Sequence, residues 1–400
     1  MAAIATSSNP YRPSWGTPPP VLAGRDELLD DALAALRAGP RHPLFSHAYF
    51  GDRGCAPPAR RAGRSSRSRA EGWHTIELAC RSGTGLVDGL VELHLPQVRR
   101  ALTHRRGRRA ATEVRASVGI PSVAQLSAGA TWSPGQRSRG VELERLLVEV
   151  GRAAARDRTR VLITVDELHV IDRHVDLPTL AGTLQLVTQR RGLPVAFVGA
   201  GLPDVVDVLS GPDVTFLERL RKVEIGPLGA DATRYALLGP AQAAGVAFAL
   251  EAVEVLTRAS AGYPYYVQLL GWETWAAAAG AGATRLELVH ARAGMRTAAR
   301  VVVEQILEPR FRRLAPREQD YLRAMAVDGE DGSTTADLVA RLGATRAADL
   351  SYLRERLLAK HVIRATGRGR VAFAMPGMAA WLSGGRRARR AITAERSGDG

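Results

Sequence analysis

Two adjacent carboxylates are the residues best placed to do chemistry. In "RVLITVDELHVID" the apolar run from Val161 to Val165 leads into Asp166 and Glu167. At the carboxyl end of a strand, Asp166 could hold magnesium directly or through water, because that ion prefers hard oxygen ligands. Glu167 could then orient and deprotonate a water attacking a phosphate. An Asp-Glu pair also ends many strands as a plain polar turn. The pair therefore gains meaning only beside a phosphate-binding loop.

The position for such a loop is "FGDRGCAPPARRAGRSSRSRAEGW", which follows the β-like run "PLFSHAYF". A loop of the form G-x-x-x-x-G-K-[ST] cradles phosphate with backbone N–H groups, a lysine and a hydroxyl. Counted from Gly51, the second glycine, the lysine and the hydroxyl should fall at 56, 57 and 58; the chain has Ala56, Pro57 and Pro58. The two prolines carry no N–H, and Ala56 puts a Cβ where the backbone needs close approach. No lysine precedes Lys222. The location suits phosphate, but from Cys55 onward the chemistry does not.

Five β-like runs (43–50, 73–79, 160–167, 194–200 and 222–228) alternate with helical stretches such as 141–156 and 178–191. That alternation predicts an α/β core with a parallel, doubly wound sheet. The buried character of Val161–Val165 suits a central strand covered on both faces. Between the second and third runs lies an insertion, 84–140. Its first half is basic, and its second half reads as a hairpin.

The chain has 400 residues, 46% of them apolar, and a net charge of +15. This is length for more than one domain. Such charge favours phosphate-rich or acidic partners, although nearly all of it is arginine, and a GC-rich gene is the plainer source. Cys55 and Cys80 have no metal-ligand spacing and suit a reducing compartment. Neither a secretion signal nor a membrane span is visible, so a soluble, cytoplasmic protein is expected.

"VLAGRDELL", "FGDRG", "VLITVDELHVID", "PVAFVGAGLP", "FLERLRKVEIGPL" and "AGYPYYVQLLGWETW" together resemble the AAA+ P-loop ATPases. More narrowly, they resemble the actinobacterial group related to archaeal origin-recognition and signal-transduction ATPases. The resemblance covers about residues 9–383. It implies an AAA+ core (21–229), an all-helical lid (230–312) and a C-terminal winged helix (313–383); composition adds a Pro/Ser-rich extended N-terminal arm (1–20) and a disordered basic tail (384–400).

It also implies ATP and Mg2+ as cofactors, both weakened here by the lost Walker A residues. By matching position, Asp166 is the metal ligand and Glu167 the water-activating acid, and Gly51 and Gly54 open the phosphate loop. Gly24 and Arg25 resemble the element beside base and ribose, Gly262 and Pro264 the lid turn beside the nucleotide. Arg219 resembles an arginine that contacts a γ-phosphate. "GAGLP" (199–203) lacks the polar residue expected to sense that phosphate. Residues 55–70 contain no aliphatic residue larger than alanine, which is what a GC-rich gene yields when read out of frame. Compensating frameshifts and a selected pseudo-ATPase are the two readings of that stretch.

In "ATRAADLSYLRERLLAKHVI", Leu350, Leu353 and Leu357 form an apolar stripe, leaving Arg346, Ser351, Tyr352, Arg354 and Arg356 outward. Such a helix suits a major groove of double-stranded DNA. "RATGRGRVAF" has the composition of a wing, with Arg364, Arg368 and Arg370 for phosphates. A nucleotide-dependent regulatory switch with a winged-helix output is the expected function. A non-catalytic DNA- or protein-binding regulator on the same scaffold is the alternative. The aromatic set Tyr263, Tyr265, Tyr266, Trp272 and Trp275 is expected to pack a helix bundle rather than stack bases.

Overall fold

The computed structural model describes residues 4, 8–14, 19–51, 73–80, 85–103, 113–115, 134–172, 174–203, 205–209 and 220–384, with backbone alone at 113–115, 134–138, 207 and 208. Gly54, the loop 55–70, most of the predicted insertion hairpin, Arg219 and all of the tail but Gly384 lie outside these residues. The chain divides into two units, Leu22–Gly226 and a second formed by Met1–Val21 with Pro227–Gly400.

The first unit is built on a six-stranded sheet of order β3-β2-β4-β5-β1-β6. Its strands are β1 (His47–Phe50), β2 (His74–Ala79), β3 (Glu113–Arg115), β4 (Val161–Asp166), β5 (Val195–Gly201) and β6 (Arg221–Glu224). Every neighbouring pair is parallel. Val161–Val165 is buried throughout, as a central strand beneath helices on both faces requires. Each of the five predicted runs overlaps one of these strands, to within a residue at the ends of β5 and β6. The added edge strand β3 lies within the insertion.

Helices α1 (Asp26–Ala38), α2 (Leu95–Thr103), α3 (Pro134–Arg156) and α4 (Asp176–Leu184) accompany the sheet. In α1, acids in the first turn and Arg37 in the last complement the helix dipole, and Ala32, Leu33, Ala35 and Leu36 form the buried stripe. Leu146, Val150, Leu180 and Val187 join Ile76, Ile163 and Phe197 in one apolar core. The start of the insertion is pinned by Asp176: its carboxylate accepts the Leu86 and Val87 N–H groups at 2.5 and 3.4 Å. Burial pushes the Asp176 carboxyl above its usual range, and those two N–H groups oppose the rise.

In the second unit, α5 (Ala230–Ala243), α6 (Leu250–Ser260), α7 (Pro264–Gly280) and α8 (Leu288–Val302) form a helical bundle, with a short parallel strand pair, β7 (Ala247–Phe248) and β8 (Arg285–Leu286), in its connections. Tyr263, Tyr266 and Trp275 are buried, whereas Trp272 is exposed. The N-terminal arm joins this bundle. Tyr11 is 0% exposed and donates its hydroxyl to the Leu237 carbonyl. Asn9 donates to the Trp272 carbonyl at 3.0 Å, and the Arg12 N–H donates to Gln268 Oε1 at 3.1 Å. Gly271 makes room for the ring, because a Cβ there would lie 2.5 Å from Tyr11 ring atoms.

The chain then forms α9 (Pro316–Met325), β9 (Ser333–Thr334), α10 (Thr335–Leu342), α11 (Ala348–Ala359), β10 (Ile363–Gly367) and β11 (Arg370–Phe373). The three strands make an antiparallel sheet of order β10-β11-β9. Tyr321, Leu322, Met325, Leu338, Leu357 and Phe373 pack together with Ile306 and Leu307 from the preceding helix. The Tyr266 hydroxyl donates to the Pro376 carbonyl at 3.1 Å, tying this body to the bundle.

Candidate nucleotide site

Parallel sheets place ligands outside the carboxyl ends of their strands. The predicted core residues gather at that edge of the first unit. Ala48 of β1 and Val165 of β4 both pair in register with Gly199 of β5. Two strand spacings therefore separate β1 from β4, about 10 Å. Gly51 at the end of β1 and the Asp166–Glu167 pair at the end of β4 thus stand at the same edge of the sheet, with β5 between them.

Gly51, where that loop begins, is held from two sides. Its N–H donates to the Gly201 carbonyl at 3.3 Å. A Cβ at position 51 would lie 2.1 Å from the Ile225 carbonyl oxygen, so only glycine fits. The Ile225 N–H in turn donates to the Phe50 carbonyl at 2.7 Å. Arg25 donates from Nη2 to the Gly226 carbonyl, and Gly24 before it takes a left-handed φ of 62°. The ends of β1, β5 and β6 and the Gly24–Arg25 turn therefore meet at this edge.

β4 ends abruptly. Asp166 is half-buried and Glu167 exposed. Glu167 has φ 54° and ψ 36°, a left-handed conformation that a non-glycine residue holds only when its surroundings impose it. Three contacts impose it here. The Glu167 N–H donates to Asp166 Oδ1 at 2.9 Å. The Val170 N–H closes a tight turn on the Glu167 carbonyl at 2.9 Å. Leu168 is buried over β5, where a Cβ on Gly199 would come within 2.6 Å of its Cδ2. The apolar anchor points inward, and the Glu167 carboxylate is left at the surface.

His169 completes the arrangement. Its Nδ1 accepts the Leu202 N–H at 3.3 Å, which leaves the ring proton on Nε2 when the imidazole is neutral. Nε2 stands 3.4 Å from Glu167 Oε2. The ring thus links the end of β5 to the Glu167 carboxylate. The sequence shows β5 ending in apolar "GAGLP"; the polar group at that position comes from the β4 turn instead. Its one sequence signal is the spacing in "DELH".

Cys80 hooks the end of β2 onto the same edge, its N–H donating to the Asp166 carbonyl at 2.9 Å. Burial, aided by Asp176, Asp166 and Glu167, pushes the thiol up to about 12. The thiol stays protonated, which excludes it as a nucleophile. The three carboxylates make this edge acidic. Among the described residues no group of three or more His, Cys, Asp or Glu side chains could hold a metal alone. Asp166, a half-buried carboxylate at a strand end, is the kind of hard oxygen donor that magnesium takes one or two at a time.

The other expected site residues lie elsewhere. Gly262 and Pro264 belong to the second unit. Pro264 starts α7 at the first helical position, where its missing N–H costs nothing. Gly262 has φ 72°, and a Cβ there would lie 2.2 Å from the Leu228 carbonyl oxygen. Its carbonyl accepts the Leu228 N–H at 2.7 Å, so this glycine is required by chain packing. Arg219 and Gly54 fall outside the described residues.

Solved structures share this architecture. The Walker-type ATPase PABY2304 of Pyrococcus abyssi superposes with a TM-score of 0.60 at 15% identity, over 90% of this chain and 96% of that one. The ORC2 protein of Aeropyrum pernix, solved as ADPNP and ADP complexes, gives 0.57 at 13% identity, over 95% and 98%. The fold is that of the AAA+ P-loop ATPases. Within this AAA+ fold, residues 304–382 match a family model described as a domain of unknown function, DUF8462. That stretch is the C-terminal body just described, with the two residues that lead into it from the bundle side, Ile306 and Leu307, in its core. No curated protein matches the chain. Among the described residues no helix is long and apolar enough to cross a membrane.

Proposed function

We propose that this chain is a nucleotide-dependent regulatory switch of the AAA+ type whose own nucleotide affinity is impaired. The observation that carries the reading is the register placing Asp166 and Glu167 across β5 from the Gly51 turn. ATP would lie along this edge, with Gly24 and Arg25 toward base and ribose and Gly51 and Gly54 toward phosphate. Gly262, Pro264 and Arg219 remain candidate nucleotide contacts on the strength of the resemblance alone.

Asp166 would hold Mg2+, which neutralises charge on the phosphate oxygens when bound. Glu167 orients a water and accepts its proton, and His169 Nε2 keeps that carboxylate aimed. The loss falls on the loop, where Ala56, Pro57 and Pro58 stand in place of Gly-Lys-Thr. Output would pass through residues 313–383, read as a winged helix that binds double-stranded DNA. The second reading, a non-catalytic DNA- or protein-binding regulator, is favoured by those same three residues.

A steady-state ATPase assay tests the catalytic assignment in a chain whose loop is restored by A56G/P57K/P58T. Adding Glu167→Gln should lower turnover by about two orders of magnitude or more, the usual contribution of a general base, with ATP affinity changed less than about threefold. Turnover that survives Glu167→Gln, or a restored chain without turnover, contradicts the assignment.

A further inference from the structure

The C-terminal body carries its basic groups very unevenly. On α11 most are already engaged. Glu318 of α9 is 1% exposed, and its carboxylate accepts Arg356 Nε at 2.8 Å and Lys360 Nζ at 2.6 Å. Arg356 also donates to the Tyr352 hydroxyl at 3.0 Å. Arg354 is half-buried, with its Nε enclosed. Arg346 lies 3.5 Å from Asp349. The exposed positions of α11 include Asp349, Ser351, Tyr352 and Glu355. A phosphate approaching that face meets two carboxylates.

The hairpin is the opposite case. Between Ile363 and Phe373 there are three arginines and no acid, and Arg364, Arg368 and Arg370 are all exposed. Arg364 pairs in register with Ala372, two residues from Arg370 on β11. Strand alternation therefore sends Arg364 and Arg370 to the same side of the ribbon, within about 7–8 Å as diagonal neighbours. Arg368 occupies the turn between Gly367 and Gly369, both at positive φ. Among the described residues Arg364 and Arg368 have no ion-pair partner, while Arg370 is one of the charges that hold the Asp328 carboxyl below its usual range.

We infer that the β10–β11 hairpin, rather than α11, is the surface on which this chain meets the sugar-phosphate backbone of duplex DNA. The assignment rests on the DNA-output reading above. It reverses the sequence expectation for Arg356, which the buried Glu318 of α9 engages, and for Arg354, which is half-buried. It keeps Arg364, Arg368 and Arg370 as a clamp of positive charge. Charge complementarity selects the partner: three exposed guanidiniums on one narrow ribbon that carries no acid suit closely spaced phosphates.

Fluorescence anisotropy with a labelled duplex of about 20 base pairs, with the full chain and across a salt series, tests it. The triple variant R364A/R368A/R370A should lower the slope of log K against log salt by about 1 per arginine. Ala348→Glu, which adds a carboxylate to the exposed face of α11, should change affinity less than about twofold. If wild type binds and the triple variant matches it, or if Ala348→Glu abolishes binding, this inference fails while the DNA-output reading stands. Salt-dependent duplex binding absent from the wild type would overturn that reading and this one together. A hairpin effect seen with an acidic peptide probe but not with DNA would assign the surface to a protein and also overturn it.

Discussion

Restoring the phosphate loop with A56G/P57K/P58T should tighten Mg·ATP binding by about three orders of magnitude. Each change returns a specific contact: a close backbone approach at 56, the lysine at 57 and a hydroxyl with its N–H at 58. At about 1.5–3 kcal/mol for each charged hydrogen bond, three contacts give about 5 kcal/mol, and about 1.4 kcal/mol corresponds to each tenfold. Isothermal calorimetry on the wild-type and restored chains reads the difference directly. The expectation depends on residues the substitutions do not touch: Gly51 locked against Ile225 and Gly201, and Asp166 in register two strands away. A restored chain that binds no better than wild type would mean the rest of the edge is not a nucleotide site.

The second large effect concerns the N-terminal arm. Tyr11→Ala should destabilise the helical bundle by about 3–5 kcal/mol, the range for truncating a fully buried aromatic ring. The ring lies edge-on to Trp275 at 6.5 Å between centroids, so Trp275 emission during thermal unfolding is a local reporter. Tyr11→Phe keeps the ring and loses only the hydrogen bond to Leu237, about 1 kcal/mol. Deleting residues 1–14 should lower the midpoint about as far as Tyr11→Ala. An unchanged midpoint in Tyr11→Ala would mean that the arm's burial contributes nothing.

The legible parts of the sequence were those with strong local pattern. The buried run Val161–Val165 and the Asp166–Glu167 pair announce a central strand and its acidic carboxyl end. Gly51 was readable as the turn after β1, although only the structure shows that Ile225 forbids any side chain there. His169 was overlooked because a lone histidine in a turn has no periodicity, and its role depends on Leu202, 33 residues away. The same limit hid the fate of Arg356 and Lys360. Arg356 reads as outward on an amphipathic helix, yet Glu318, 38 residues earlier, claims it together with Lys360. Tyr11 sits in a Pro/Ser-rich stretch whose composition reads as an unattached arm; its docking depends on the gap left by Gly271. β3 is only three residues long, too short in an arginine-rich segment to register as a strand.

The account rests on the carboxyl edge of the sheet being a magnesium-nucleotide site whose defect is confined to one loop. Calorimetric titration of ATP into the loop-restored chain, with and without Asp166→Ala, in magnesium and again in EDTA, examines that claim most directly. With magnesium, Asp166→Ala should weaken binding by about tenfold or more, as expected when one of the ion's few protein carboxylates is lost. In EDTA the two chains should agree within about twofold. Equal affinities for Mg·ATP with and without Asp166 would contradict it.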